Sequence, residues 1–309
     1  MKVYVTQEMV CTNNFLIFVY IVTFLPIQLV ICHGNIYVDD GGPKDWPNKY
    51  PQCGGNRQSP INLPSICDAL RINNYGNFRR SKTFTKKPNN VKVSVTDHGV
   101  EIKPTYEYGE QVTITGGPLQ DTYVLEQIHF HWGSNNSVGS EHTIKSKVYA
   151  LETHAVHYNF KYGSFKNAIN QSDGLLVIAY VYYPQWITKS KSWNLLTKQF
   201  VYMSDTNTTE SDITGFPALT DILPPFDSNY YTYSGSLTTP PCSESVTWIV
   251  SGKPVPISTV RLRALRGLYG IQPGAINNFR PVQPLNGRLI TVKINEAEYI
   301  LKCIFGRIL

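Results

Sequence analysis

Five of the seven histidines in this chain, His129, His131, His142, His154 and His157, fall between positions 129 and 157. The segment Leu125–Trp132, LEQIHFHW, has the aromatic and β-branched character of a strand. Strand side chains alternate, so Gln127, His129 and His131 share one face. A turn-rich loop follows, and then Lys147–His157, KVYALETHAVH, reads as a second strand. There Glu152, His154 and Val156 share a face, while His157 points the other way. If the two strands are antiparallel neighbours, His154 confronts His129 and His131. Three neutral imidazoles leave the fourth tetrahedral position of zinc open, which is the arrangement of a catalytic site. No Cys-x-x-Cys pair occurs, which argues against a thiolate site. Gln127 and Glu152 each lie two residues from a ligand on the same face, where they can fix an imidazole tautomer. Taken singly, a His-x-His pair is an ordinary exposed pair and a Glu beside a His an ordinary salt bridge. The third histidine, the same-face carboxylate and the strand context together favour a metal.

Elements that could hold such a cluster recur along the chain. Period-two alternation appears at Val91–Val95, Val100–Lys103, Val112–Ile114 and Leu289–Lys293, separated by clusters such as Gly116-Gly117-Pro118. Helical pattern is sparse, and its best candidate is Pro256–Tyr269, with Val260, Leu262, Leu265 and Leu268 as its apolar positions. The expectation is one β-rich (α+β) domain over residues 35–295, followed by a C-terminal extension, 296–309. Among 309 residues, 42% are hydrophobic and only 16% charged, with 20 Tyr, 22 Gly and 20 Pro; this excludes coiled coil, collagen and disorder. The net charge of +6 includes no run of five like charges, so no nucleic-acid footprint is indicated. It leaves room for a weak acidic matrix partner.

The N-terminus carries no charge from Met9 to Cys32, and Phe15–Cys32 is densely apolar. A signal peptide over residues 1–34, cut after Gly34, is expected, with an uncleaved membrane anchor as the alternative. Either delivers the remainder outside the cytosol, and secretion is the expectation. Three Asn-x-Ser/Thr sequons, at Asn135, Asn170 and Asn207, agree with that route. Four cysteines follow the cut, Cys53, Cys67, Cys242 and Cys303, and they allow three full pairings.

The block Gln127–Gly133, QIHFHWG, followed by Gly139–Thr143, GSEHT, and Glu152–His157, ETHAVH, resembles the signature of the α-class carbonic anhydrases, secreted type. Gln58–Asn62, Gly235–Pro241 and Asn278–Pro284 extend the resemblance in family order. It implies a single domain around a large, twisted, mostly antiparallel sheet of about ten strands, with short peripheral helices and zinc on the floor of a cleft. It implies reversible hydration of carbon dioxide to bicarbonate and a proton, by attack of zinc-bound hydroxide. His129, His131 and His154 then resemble the Zn2+ ligands, with Gln127 and Glu152 as their hydrogen-bond partners. Thr238 resembles the gatekeeping hydroxyl, Glu141 the carboxylate that orients it, and Thr239 the neighbouring hydroxyl near bicarbonate. Val156, Val177, Leu237, Val246 and Trp248 resemble the apolar wall for carbon dioxide. Tyr37 falls at a cleft tyrosine and His98 at the proton shuttle. Cys53 and Cys242 match a disulfide of secreted members, while Cys67 and Cys303 have no family role and could pair together, pair between chains or stay free. Asn35 stands where the family usually has tryptophan, and Glu101 adds a carboxylate near the shuttle. The alternative function is an extracellular binding module with little enzymatic role, but such relatives typically lack a zinc histidine, and all three are present.

Overall fold

β-Branched and aromatic residues dominate the segments between turns, and they build one large sheet. The computed structural model describes residues 35–72, 74–268 and 276–305. The expected signal peptide, residues 1–34, lies outside the described residues. The strands are β1 (Asn62–Leu63), β2 (Leu70–Arg71), β3 (Phe78–Arg80), β4 (Asn90–Thr96), β5 (Gly99–Thr105), β6 (Thr113–Gly116), β7 (Tyr123–Trp132), β8 (Thr143–Ile144), β9 (Leu151–Asn159), β10 (Leu175–Gln185), β11 (Glu210–Ile213), β12 (Tyr230–Gly235), β13 (Val246–Ser251), β14 (Val255–Ser258) and β15 (Thr291–Lys293). The helices are α1 (Trp46–Lys49), α2 (Phe165–Ala168), α3 (Lys191–Thr206), α4 (Thr259–Gly267) and α5 (Glu296–Tyr299), with short 3-10 turns between elements.

The main sheet has 13 strands rather than about ten. Ten follow the path β11-β4-β5-β7-β9-β10-β13-β12-β15-β2; off it, β14 pairs with β10, β6 with β7, and β3 with β6. Pairing is mostly antiparallel, as expected; within this sheet β10–β13, β10–β14 and β15–β2 are parallel. The central strands β9 and β10 are buried along nearly their whole length. One face of the sheet carries Ile128, Phe130, Trp132, Leu176 and Ile178, which pack under α3 and α4. The other carries Val124, Val156, Val177, Trp248 and Val250.

Helix α3 corrects the sparse helical reading. It spans 16 residues and buries Trp193, Leu196, Phe200 and Met203, a three-four-three spacing that marks one helical face. The Ser190 hydroxyl accepts from the Trp193 amide at 3.1 Å and caps its start. The Asp221 carboxylate accepts from the Ser192 amide at 2.7 Å, placing negative charge at the same helix end. Asn207, in left-handed conformation with φ 55°, ends the helix. The expected helix Pro256–Tyr269 is shorter, at Thr259–Gly267. Pro256 and Ile257 belong to β14, whose residues extend the sheet beside Tyr183 and Pro184. Val260, taken as an inward position, is 59% exposed. Likewise Leu289 and Ile290 precede their strand, which begins at Thr291, and the strand expected from Lys147 begins at Leu151.

Two disulfides close long loops: Cys53–Cys242 and Cys67–Cys303. The second answers the question left open for Cys67 and Cys303: they pair with each other and tie the C-terminal helical segment to the chain just before β2. In the chain-entropy account, closures of this length each stabilise by a few kcal/mol.

His157 faces away from the other histidines, as the alternation requires. It is 4% exposed, and its Nδ1 meets the Ala155 carbonyl at 2.9 Å. Burial pushes its pKa down to about 4. The unfolded chain, with an ordinary imidazole near 6.5, binds more protons between those values, so stability falls with falling pH there. The contribution is fully present above pH ~6.5 and is lost, on the order of 3 kcal/mol, as pH drops through ~4. Urea midpoints at pH 7 and pH 4 should therefore differ less in His157→Gln than in the wild-type protein. Equal differences would contradict the buried neutral state.

Candidate metal centre

Strand register sets the site. β7 and β9 are antiparallel neighbours, and His129 pairs directly with His154, while His131 pairs with Glu152. A bulge between Leu125 and Gln127 resets the alternation so that Gln127 opposes Val156. On the flanking strands, Glu101 opposes His129 and Ala179 opposes His154. All three expected ligands therefore project from one face, and their nitrogens converge. His131 Nε2 lies 3.1 Å from His154 Nδ1, which lies 3.2 Å from His129 Nε2.

The outward nitrogen of each ring is held by an acceptor. His129 Nδ1 donates to Gln127 Oε1 at 2.9 Å, and His154 Nε2 donates to Glu152 Oε1 at 2.7 Å. His131 Nδ1 donates to the carbonyl of Asn278 at 2.7 Å. These partners assign protons outward and leave three lone pairs aimed at one point. Burial, reinforced by the neighbouring rings, drives the pKa values of His129 and His131 well down, and burial lowers that of His154 despite Glu152. Three buried, neutral, converging imidazoles fit a zinc ion and would repel one another if protonated. A second set of close ligand-type groups, His142, Glu152 and His154, is closed by its own hydrogen bonds. His142 Nδ1 meets Glu152 Oε1 at 2.6 Å and its Nε2 meets the Tyr233 hydroxyl at 2.7 Å, so His142 braces the site as a structural residue.

Around the ligands, Glu141 is fully buried, and its Oε1 accepts from the Arg280 amide at 2.8 Å. Its Oε2 has no hydrogen-bond partner and lies 3.4 Å from His131 Nε2. Burial, then the Glu152 carboxylate, pushes the Glu141 pKa well up, and the adjacent Thr238 hydroxyl opposes this. Thr238 is itself buried. Val156, Val177 and Trp248 stand in register across β9, β10 and β13, and Val246 and Leu237 join the same apolar cluster. The Trp248 indole donates to the Ser236 carbonyl at 3.0 Å, which fixes its plane. Tyr37 is buried against Trp46, and its hydroxyl lacks a partner. Thr239 sits with Thr238 in the segment between β12 and β13 and is more exposed.

His98 stands at the turn between β4 and β5, with its ring centroid 5.9 Å from that of His129. Its Nδ1 meets Asp97 Oδ1 at 2.8 Å, and the side chain is 23% exposed, so it touches both the site and solvent. The sequon residues Asn135, Asn170 and Asn207 are all exposed.

Sequence spacing missed Asn278. Its carbonyl holds His131, its side chain accepts from the Trp132 amide at 2.6 Å, and its amide group donates to the carbonyls of His98 and Phe130. One residue thus joins β7 to the turn that carries His98. The contact spans 147 positions and uses a backbone oxygen, so no local pattern announces it.

A three-imidazole cluster on one face of a 13-stranded mixed sheet, beside an apolar wall, is a set of ligand atoms that could hold a metal ion. The family model for the eukaryotic-type carbonic anhydrase matches residues 41–294, and the chain belongs to that family. It is 37% identical over 265 residues to carbonic anhydrase 7 of Homo sapiens, covering 84% of this chain and 96% of the relative. It is 33% identical over 267 residues to carbonic anhydrase 3 of Sus scrofa, covering 82% and 96%. Over 271 residues it is 35% identical to carbonic anhydrase 6 of Bos taurus, covering 83% and 77%. The chain is accordingly an enzyme, with the carbon dioxide hydration activity of its family.

Proposed function

We propose that this enzyme interconverts carbon dioxide and bicarbonate with zinc held by His129, His131 and His154. The observation that carries the reading is the convergence of three ring nitrogens whose opposite nitrogens are each committed to a fixed acceptor. Bound there, zinc would supply positive charge undiminished by anionic ligands, which makes a water nucleophilic near neutral pH. Thr238, which donates its hydroxyl hydrogen toward Glu141, would have its oxygen left to accept a hydrogen bond from a nucleophilic water and so orient it. Glu141 Oε2 is the buried acceptor available for it. Val156, Val177, Leu237, Val246 and Trp248 hold the apolar substrate, and Thr239 receives the anionic product. Tyr37 borders the cleft.

His98 moves the surplus proton from the centre to buffer. Its ring lies beside His129 and part of it reaches solvent. In weakly buffered solution, His98→Ala should lower kcat by about tenfold or more while leaving kcat/KM unchanged, and added imidazole should restore it. An unaltered kcat would remove His98 from the pathway. Zinc content and stopped-flow hydration on the same preparation test the function itself.

The chain is further read as an extracellular glycoprotein, cut after residue 34, with the enzyme domain over 35–295 and an extension over 296–309. Two disulfides suit an oxidising compartment, and the three exposed sequons suit passage through the secretory route. Among the described residues no helix is long and apolar enough to cross a membrane.

A further inference from the structure

The surface of α3 and α4 lies on the sheet face opposite the three histidines. At its edge, the loop leaving β10 presents Trp186 at 82% exposure and Ile187 at 72%. Val260, at the start of α4, is 59% exposed beside them, since β14 pairs with the end of β10 and runs directly into α4. The loop is held in this position by Arg261. Its buried guanidinium donates to the carbonyls of Thr188 and Ser190 at 3.0 and 3.2 Å and to Asn194 Oδ1 at 3.1 Å. A fixed, protruding Trp-Ile pair has no structural use of its own.

The charge on its two helices is mostly positive, with Asp205 in the last turn of α3 as their one acid. From Gly174 to Ser204 and from Ser245 to Asn295 the sequence contains no Asp or Glu. Lys189, Lys191, Lys198 and Arg263 are exposed on this face, and among the described residues none of them has a carboxylate within ion-pair distance. Arg263 and burial together depress the pKa of the neighbouring Arg266, burial more, so positive charge here crowds positive charge. Asp221, at the start of α3, is consumed in capping that helix. A second copy of this face would be repelled. A polyanionic glycan would satisfy the lysines but has no apolar phase for Ile187 and Val260.

We propose that this face docks on an anionic lipid surface, with Trp186 and Ile187 entering the headgroup boundary and the cations over acidic headgroups. Docking in this pose leaves the histidine face of the sheet turned toward bulk solution. Trp46, Trp132, Trp193 and Trp248 are all buried, so Trp186 alone among the five tryptophans can meet a lipid directly.

The purified enzyme is mixed with vesicles of equimolar phosphatidylcholine and phosphatidylserine carrying brominated acyl chains. Trp186 fluorescence is expected to shift to the blue and be quenched, and Trp186→Phe to lose that quenching. Lys189→Ala with Lys191→Ala should weaken vesicle partitioning by about thirtyfold at low salt, less at high salt. Hydration activity and near-ultraviolet circular dichroism should stay unchanged in these variants. Any N-terminal contribution to partitioning is common to all of them and cancels. Unquenched Trp186 in the wild-type protein overturns the proposal, as does equal partitioning of wild type and the lysine variant. Retention on heparin without quenching by brominated lipid would also overturn it.

Discussion

His154→Ala is expected to abolish hydration and to strip the protein of zinc. The substitution removes one of three converging nitrogens and also the ring that occupies Glu152 Oε1 at 2.7 Å. Two imidazoles remain, one fewer than a catalytic zinc requires from the protein. Bound zinc should fall from about one per chain to near zero after dialysis against a mild chelator. The metal carries most of an acceleration that in enzymes is typically 10⁶-fold or more, so kcat/KM should drop at least about 10⁴-fold. Metal analysis and stopped-flow hydration read both effects. A folded His154→Ala protein that keeps its zinc would show that the ion is held elsewhere.

Glu152→Ala should damage the fold and the site together. The carboxylate is fully buried and accepts from the rings of His142 and His154 and from the amides of Glu141 and His142, at 2.6–2.9 Å. Burial alone would raise its pKa, but His142 and His154 hold it far below the usual carboxylate range. Alanine strands all four donors in an apolar interior. Breaking a buried charge cluster in this way costs about 3–5 kcal/mol, and losing the partner of a ligand histidine weakens metal affinity by about 10- to 100-fold. Glu152→Gln keeps the volume and one acceptor oxygen, so it should recover much of the stability but little of the metal affinity. Denaturant midpoints and competitive zinc titration separate the two. Equal recovery of both by glutamine would mean that Glu152 acts only through packing.

The part of this molecule most legible in sequence was the part encoded by period-two alternation. His129, His131 and Gln127 share a face because strands alternate, and His154 meets them because β7 and β9 are antiparallel neighbours. The same rule sends His157 to the opposite core. Local patterning could not place contacts made across the fold. Thr238 and Glu141 entered only through family resemblance, and Asn278 acts through a carbonyl that any residue carries. The main path holds ten strands, and the three beyond it, β3, β6 and β14, are short pieces of three or four residues. Helix α3 carries its cap at Ser190 and its apolar spacing in sequence, but its 16 residues follow closely on the aromatic and β-branched run of β10, whose strand character dominates the local pattern. At the other helix, apolar Val260 extended the pattern outward, yet it faces solvent, where sequence periodicity alone placed it inside.

The most direct test of the account is hydration measured against zinc content in one preparation. Removal of zinc by dialysis should abolish carbon dioxide hydration, and stepwise return of zinc should restore it in proportion, saturating at about one ion per chain. Fully loaded, folded protein that leaves the hydration rate at that of buffer would contradict it.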